Sequence, residues 1–419
     1  MDAVVNLLGS LSWPSFLELF WFLVIFEIPR YAIATLVAGY RAVAEVRPAP
    51  IDPDVPVSVL LAGHNEADGL ETSVRGLHEQ THRHIEIVVA DDGSVDGTAT
   101  IARDLLRRGL IDKFVAAEIR GGKASALNLG FQHCTHEYMV VMDVDTSLDR
   151  DAISRVMAPL RDDSSCAAVS GNLGVRNALQ SPWTAFQSLE YMFTISLGRQ
   201  FATLFDMLLI VSGAFGAFRR SAIAGIGGWD VGPGDDSNLT QKLRRAGWVV
   251  AFEPEAWALT DVPATRRAVF KQRIRWSRSL IRNRLRKFRS ALNPIYGNFQ
   301  PREVLALVNG LFFHGVLAFM FFIYLGHILV SYPALGPILL IAVHAVYVVL
   351  NMLQFLVAVI VVDRPGKWKL LPYLFGYSFY VAYFHRAIRV WAYISELALR
   401  RSYHDPFYPT KVRRNVEKF

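Results

Sequence analysis

Cysteine is nearly absent from this 419-residue chain. Cys134 and Cys166 are its two copies, and neither stands in a metal-ligand spacing. That excludes a disulfide framework and a cysteine-based zinc centre, and it suits free thiols in a reducing compartment. The neighbouring histidines His78, His82 and His84 read as an exposed loop, and no Ser–His–Asp arrangement stands out. The first ten residues contain no Lys or Arg. A secretory signal needs a basic start and a short apolar run, so Ala42-Val43-Ala44 is not taken as a cleavage site.

Hydrophobic residues make up 52 % of the chain, above the roughly 45–50 % of ordinary globular domains. The excess sits at the two ends. An apolar stretch over 16–39, interrupted by Glu18, Glu27 and Arg30, is long enough to cross a hydrocarbon core of roughly 30 Å. Stretches over 304–330 and 335–362 are clean, and 370–397 carries His385, Arg386 and Arg389. The last of these fits a spanning helix or an interfacial one equally well. Arg41 and Arg47 after the first span, and Arg364, Lys367 and Lys369 after the third, assign those ends to the cytoplasm. The formal charge is +7, with a basic concentration over 266–302. Beside apolar spans this reads as a membrane flank and not as a nucleic-acid surface. The expected organisation is a membrane helix and flank (1–50), a cytoplasmic domain (51–263), basic interface helices (264–302), membrane or interfacial helices (303–400) and a basic tail (401–419).

The middle alternates short apolar runs with helical periodicity. Runs at 57–62, 85–90 and 138–142 end in polar loops: His64-Asn65-Glu66, Asp91-Asp92-Gly93 and Asp143-Val144-Asp145. Strand–helix–strand rhythm with apolar strands predicts an α/β fold, a mostly parallel Rossmann-like sheet buried on both faces. Ligands bind outside the carboxyl ends of such strands, so the three acidic clusters are expected to meet in one crevice.

Each cluster has a plain reading and a chemical one. Gly93, Ser94 and Asp96 suit a turn and a helix cap. Two adjacent carboxylates at a strand end can also accept hydrogen bonds from a nucleobase or ribose. Asp143 and Asp145 point the same way on an extended chain, and like charges side by side call for a cation. A hard divalent ion, Mg²⁺ or Mn²⁺, would suit them and would also bind a diphosphate. Gly121-Gly122-Lys123 is a turn with a lysine, or an anion cradle. Asp236, after Gly234 and Asp235, is a helix cap or a general base for an attacking hydroxyl. Gln272, Arg275 and Trp276 share one face of a basic helix, which could anchor at a membrane surface or hold a diphosphate and a sugar ring.

The ordered set Asp-Asp-Gly-Ser (91–94), Gly-Gly-Lys-Ala (121–124), Asp-Val-Asp (143–145), Gly-Asp-Asp (234–236) and Gln-Arg-Ile-Arg-Trp (272–276) resembles the processive family 2 glycosyltransferases of the GT-A fold. That group makes cellulose, chitin, hyaluronan and poly-N-acetylglucosamine. The resemblance implies donor-nucleotide contacts at Glu66, Asp91, Asp92, Lys123 and Asp143. It implies metal and diphosphate at Asp143 and Asp145, with Asp236 as base. Ser212, Gly213, Gln272, Arg275 and Trp276 would stand at the diphosphate and acceptor end. An inverting transfer from a UDP-sugar to a growing polysaccharide is implied, at the inner or plasma membrane, with the catalytic domain cytoplasmic. One span before the domain, fewer than in some relatives, leaves room for a homo-oligomer or an export partner. No regulatory cyclic dinucleotide domain is visible. Two other readings stay open: a single-sugar transferase acting on a polyprenyl phosphate or other lipid, and a transporter or channel with a cytoplasmic ligand-binding domain.

Overall fold

The computed structural model describes residues 12–44, 49–293, 301–410, 412 and 413. Met1–Ser10, Arg47, Lys411 and Arg414 lie outside them. The central feature is an eight-stranded sheet: β1 Val57–Gly63, β2 Ile85–Asp91, β3 Lys113–Ala116, β4 Tyr138–Met142, β5 Ser147–Leu148, β6 Cys166–Val175, β7 Phe215–Arg219 and β8 Val249–Thr260. Their spatial order is β3-β2-β1-β4-β7-β6-β8-β5. β1 pairs in parallel with β2 and β4, β2 with β3, and β6 with β8. β7 runs antiparallel to both β4 and β6, and β5 runs antiparallel to β8. The sheet is thus mixed, with a parallel half carrying the acidic strand ends.

Period-2 alternation explains why these strands are buried on both sides. In β1, Val57, Val59 and Leu61 join one core while Leu60 and Ala62 join the other. In β2, Ile87 and Val89 face the first core and Val88 and Ala90 the second. Each such Val, Leu or Ile side chain contributes roughly 1.5–3 kcal/mol when fully buried. A one-residue slip would exchange the two sets, so the register is firmly set. Strand order reverses at β1, between β2 and β4, and this is where an open α/β sheet leaves a crevice.

Among the described residues, three helices are long and apolar enough to cross a membrane: Trp13–Tyr40, Pro301–Ser331 and Gly336–Val361. A fourth helical stretch follows, with a 3₁₀ segment Lys367–Tyr373 leading into helix through Leu399. It packs on the basic helix Arg266–Arg282 and on the apolar helices. The charges that interrupt the first span are answered there. Glu27 is fully buried; its carboxylate receives Arg30 Nη2 at 2.9 Å and Arg386 Nη2 at 2.8 Å. Arg386 also donates to the Tyr347 hydroxyl and lies 4.3 Å over the Phe321 ring. Ionisable groups at such a depth persist when they find one another.

Candidate functional site

The site begins at the ends of β1, β2 and β4. Asp91 closes β2, and its Oδ1 accepts the Ser94 N–H at 3.0 Å and the Ser94 hydroxyl at 2.5 Å. Asp92 is used differently. Its two oxygens accept the N–H groups of Gly121 and Gly122 at 2.7 and 2.8 Å. The side chain expected to touch a nucleotide therefore fastens the Gly-Gly-Lys turn in place. Gly122 holds φ +88°, and a Cβ there would meet Val412 at 2.8 Å, so glycine is required twice over.

That turn delivers Lys123 to the centre. Its Nζ lies 2.5 Å from Asp143 Oδ1 and 3.5 Å from the Gly213 carbonyl. Gly213 in turn donates its N–H to Asp236 Oδ2 at 3.0 Å. A Cβ on Gly213 would stand 2.8 Å from Asp236 Oδ1 and 3.0 Å from Lys123 Nζ. Segments far apart in sequence thus converge on one point: the Lys123 turn, the end of β4, the Ser212–Gly213 loop and the start of helix Asp235–Arg245. Burial alone would lower the Lys123 ammonium, but Asp143, Asp235 and Asp236 outweigh it and hold its pKa above the usual lysine range.

One lysine does not balance the carboxylates. Burial, followed by the charges of Asp145 and Asp143, pushes Glu66 up to about 7. Burial and the adjacent Asp236 push Asp235 up to about 7. Burial also raises Asp143, despite its lysine. Asp145 is exposed at the mouth, and its carbonyl is held by Arg176 Nη2 at 2.8 Å. Among the described residues no group of three His, Cys, Asp or Glu side chains could hold a metal alone. The donors on offer are oxygens carrying surplus negative charge. They fit a hard divalent ion bound through one or two carboxylates and completed by substrate phosphates.

The basic helix Arg266–Arg282 starts at Thr265, whose side chain caps the Ala268 N–H, and meets the crevice at its far end. Arg282 Nη2 donates to the Pro233 carbonyl at 2.6 Å. Asn283 Nδ2 donates to the Gly234 carbonyl at 3.1 Å and to Ser237 Oγ at 2.8 Å. The loop presenting Asp235 and Asp236 is therefore clamped. The motif residues lie further back. Arg273 pairs with Glu190 at 2.8 Å and sits 4.3 Å over the Trp276 ring. Arg275 sits 4.1 Å over the Phe407 ring, and Gln272 Oε1 is buried without a hydrogen-bond partner. Among the described residues, no hydrogen bond, ion pair or ring contact joins Gln272, Arg275 or Trp276 to the carboxylates. Arg275 and Trp276 each have their own ring contact, with Phe407 and Arg273 respectively.

The chain's C-terminal segment was expected to be a simple basic tail, yet it closes over this region. Pro409 and Val412 lie against Gly122, and Phe407 covers Arg275. Tyr408 is buried beside Ser279, and that burial pushes its hydroxyl up to about 12.

With this geometry in view, residues 58–227 match the family described as glycosyl transferase family 2. Those residues form a family 2 glycosyltransferase domain. Poly-β-1,6-N-acetyl-D-glucosamine synthase of Staphylococcus epidermidis is 32 % identical to the chain over 222 residues, 53 % of each protein. The chain thus spans about half the length of that relative. The synthase of the same description from Staphylococcus aureus is 28 % identical over 291 residues, 68 % of this chain and 69 % of that one. The mannosyltransferase of Pyrobaculum calidifontis, solved with GDP-Man and Mn²⁺, superposes with a TM-score of 0.57 at 21 % identity. It covers 91 % of this chain and 99 % of that one, and it shows the same fold.

The fold brings Glu66, Lys123, Asp143, Asp145 and Gly213, within the matched residues, together with Asp236, which follows them. Sequence reasoning did not single out Asp235, Arg282, Asn283 or Tyr408. A signal for the last existed: Phe407, Tyr408 and Val412 are apolar interruptions in a basic run, which a solvated tail has no use for.

Proposed function

We propose that the chain is a membrane-bound inverting glycosyltransferase that extends a polysaccharide. N-acetylglucosamine is the proposed sugar, and UDP-N-acetylglucosamine the donor. The observation that carries this is the convergence of Lys123, Asp143 and Gly213, all within the residues that match family 2, with Asp236 at one edge of the sheet. The choice of sugar rests on the names of the staphylococcal relatives. The catalytic domain is proposed to face the cytoplasm, where nucleotide sugars are made, and the apolar helices to sit in the bilayer.

In the proposed reaction Asp91 receives the nucleoside, while Asp92 holds the Gly121–Gly122 turn whose lysine faces the diphosphate. Asp143 and Asp145, with Glu66 beside them, would hold Mg²⁺ or Mn²⁺; a bound cation neutralises charge on the leaving diphosphate. Asp236 takes the proton of the acceptor hydroxyl. That oxygen forms a bond to the anomeric carbon as the bond from this carbon to the diphosphate oxygen breaks, and UDP departs. Lys123 keeps a positive charge beside the oxygen that gains the electron pair. Gly213, by donating to Asp236 Oδ2, fixes the base and leaves Oδ1 for the acceptor.

A donor screen tests this reading. The full chain in nanodiscs is given UDP-N-acetylglucosamine, UDP-glucose, UDP-glucuronate or GDP-mannose, with Mg²⁺ or Mn²⁺. UDP release with the first donor and a ladder of long products is the expected result. Single-sugar lipid products would instead establish the non-processive reaction, and no release from any donor would defeat the proposal.

A further inference from the structure

Behind the basic helix lies a second cavity, distinct from the carboxylate crevice and lined by both apolar and cationic side chains. It is a cavity of about 90 Å³, several times what one water needs. Arg273 and Trp276 contribute from the basic helix, His314 from the apolar helix Pro301–Ser331, and His385, Arg389 and Tyr393 from the last helix. Glu190 is the one carboxylate among the described lining residues. It is already engaged by Arg273 Nη2 at 2.8 Å and by the Tyr380 hydroxyl at 3.2 Å.

The nitrogen groups around this space outnumber their partners. His385 is 5 % exposed, and its Nε2 has no hydrogen-bond partner; the Glu190 carboxylate is 3.8 Å away. Arg284 is also 5 % exposed, lies beside Tyr393 and Arg389, and has an unpartnered Nε. Its guanidinium packs so close to Gly310 that a Cβ there would stand 2.6 Å from Nη1. Burial pushes the Arg284 pKa down, with Arg389 adding to the effect. Arg389 lies within electrostatic reach of Tyr393, Glu190, Arg30 and Arg386. Glu27 takes the last two. Three guanidinium groups, of Arg273, Arg284 and Arg389, are thus set against one carboxylate. Buried cations are costly without a counter-ion, and a planar guanidinium matches oxyanions through paired N–H donors.

We propose that this cavity is a phosphate-binding site, with Arg389 and His385 contacting the oxyanion and Arg284 supplying charge from behind. Trp276 and Tyr393 form its walls. The phosphate is either a free ion or the headgroup of an anionic lipid. A helix apolar enough to span a bilayer supplies one wall, so a headgroup can reach the site from the membrane side. The site shares no residue with the Lys123–Asp143–Asp236 cluster and does not depend on the donor reading.

The test uses the full chain, delipidated in a neutral detergent. Native mass spectrometry reads retention of phosphatidylglycerol against phosphatidylcholine. Thermal unfolding reads stabilisation by inorganic phosphate at fixed ionic strength. Retention of phosphatidylglycerol identifies the headgroup as the source, and stabilisation by phosphate identifies the free ion. Either effect is expected to weaken at least tenfold in Arg389→Gln and in Arg284→Gln, to persist in Arg389→Lys, and to survive saturating UDP. The proposal is overturned if the wild-type chain shows neither effect, if both glutamine variants bind as wild type does, or if UDP displaces the ligand. The wild-type arms decide the matter even where a glutamine variant fails to fold.

Discussion

At the scale of single residues, Asp235 and Asp236 offer the sharpest division of labour. Asp236 Oδ2 is occupied by the Gly213 N–H, and removing a general base lowers turnover by roughly 10²–10⁴-fold. Asp236→Asn is therefore expected to lose that much in kcat while UDP affinity, read by calorimetry, stays within about threefold of wild type. Asp235→Asn should lose far less; equal losses would move the base to Asp235. Gly213→Ala puts a methyl 2.8 Å from Asp236 Oδ1, and the overpacking costs about 1–3 kcal/mol. Its kcat should fall more than its thermal stability accounts for. Glu66 gives a pH signature. Its folded pKa of about 7 exceeds the unfolded value, so the native state holds an extra proton between about 4.3 and 7. The stability this confers is complete below that window and lost as pH rises through it. In metal-free protein the wild-type melting temperature should fall relative to that of Glu66→Gln from pH 5 to pH 8. Mg²⁺ or Mn²⁺ should narrow the difference at the alkaline end; a parallel pH course in the two proteins would remove Glu66 from the site.

At the scale of elements, the strand ends were legible because two independent patterns coincide there. Apolar runs marked β1, β2 and β4, and carboxylates followed each one. β7 and β5 were not assigned, since a five-residue and a two-residue antiparallel strand carry too little periodicity to show their direction. Asp92 illustrates a different limit: spacing placed it in the crevice, but only three-dimensional proximity to Gly121 and Gly122 shows that its oxygens are taken. The grouping of Gln272, Arg275 and Trp276 was sound as helix geometry, but spacing could not show that Arg275 meets Phe407, distant in sequence, while Trp276 meets its neighbour Arg273. The C-terminal segment carries its own prediction. Truncation after Tyr403 removes the cover of Gly122 and Arg275, so limited proteolysis should cut the 119–124 loop faster in the truncated chain than in the full one. Equal cutting rates would mean that the segment does not protect the turn.

At the scale of the whole molecule, the family 2 domain is tied to the basic helix and to the loop after the apolar helices by ion pairs as well as by apolar packing. Glu190 in the domain meets Arg273, and Arg364 reaches Asp149 from the loop after Gly336–Val361. The Glu27–Arg386 pair does the same within the helical bundle, where removing one partner costs about 3–5 kcal/mol. Glu27→Gln should lower the unfolding temperature in nanodiscs and leave the donor affinity of the surviving folded protein unchanged. The layout of spans could be read from hydropathy, because apolar length is a one-dimensional property. The partner of Glu27 could not, because it lies 359 residues away.

That separation has a consequence for how the protein is made. Synthesis runs at about 5–20 residues per second, so the first helix emerges roughly 20–70 s before Arg386 exists. During that interval its carboxylate has only Arg30, one turn along the same helix, to answer it. On the proposed membrane reading, the helix Trp13–Tyr40 therefore enters the bilayer with Arg30 as a temporary counter-charge, and the Glu27–Arg386 pair closes only once Arg386 has followed.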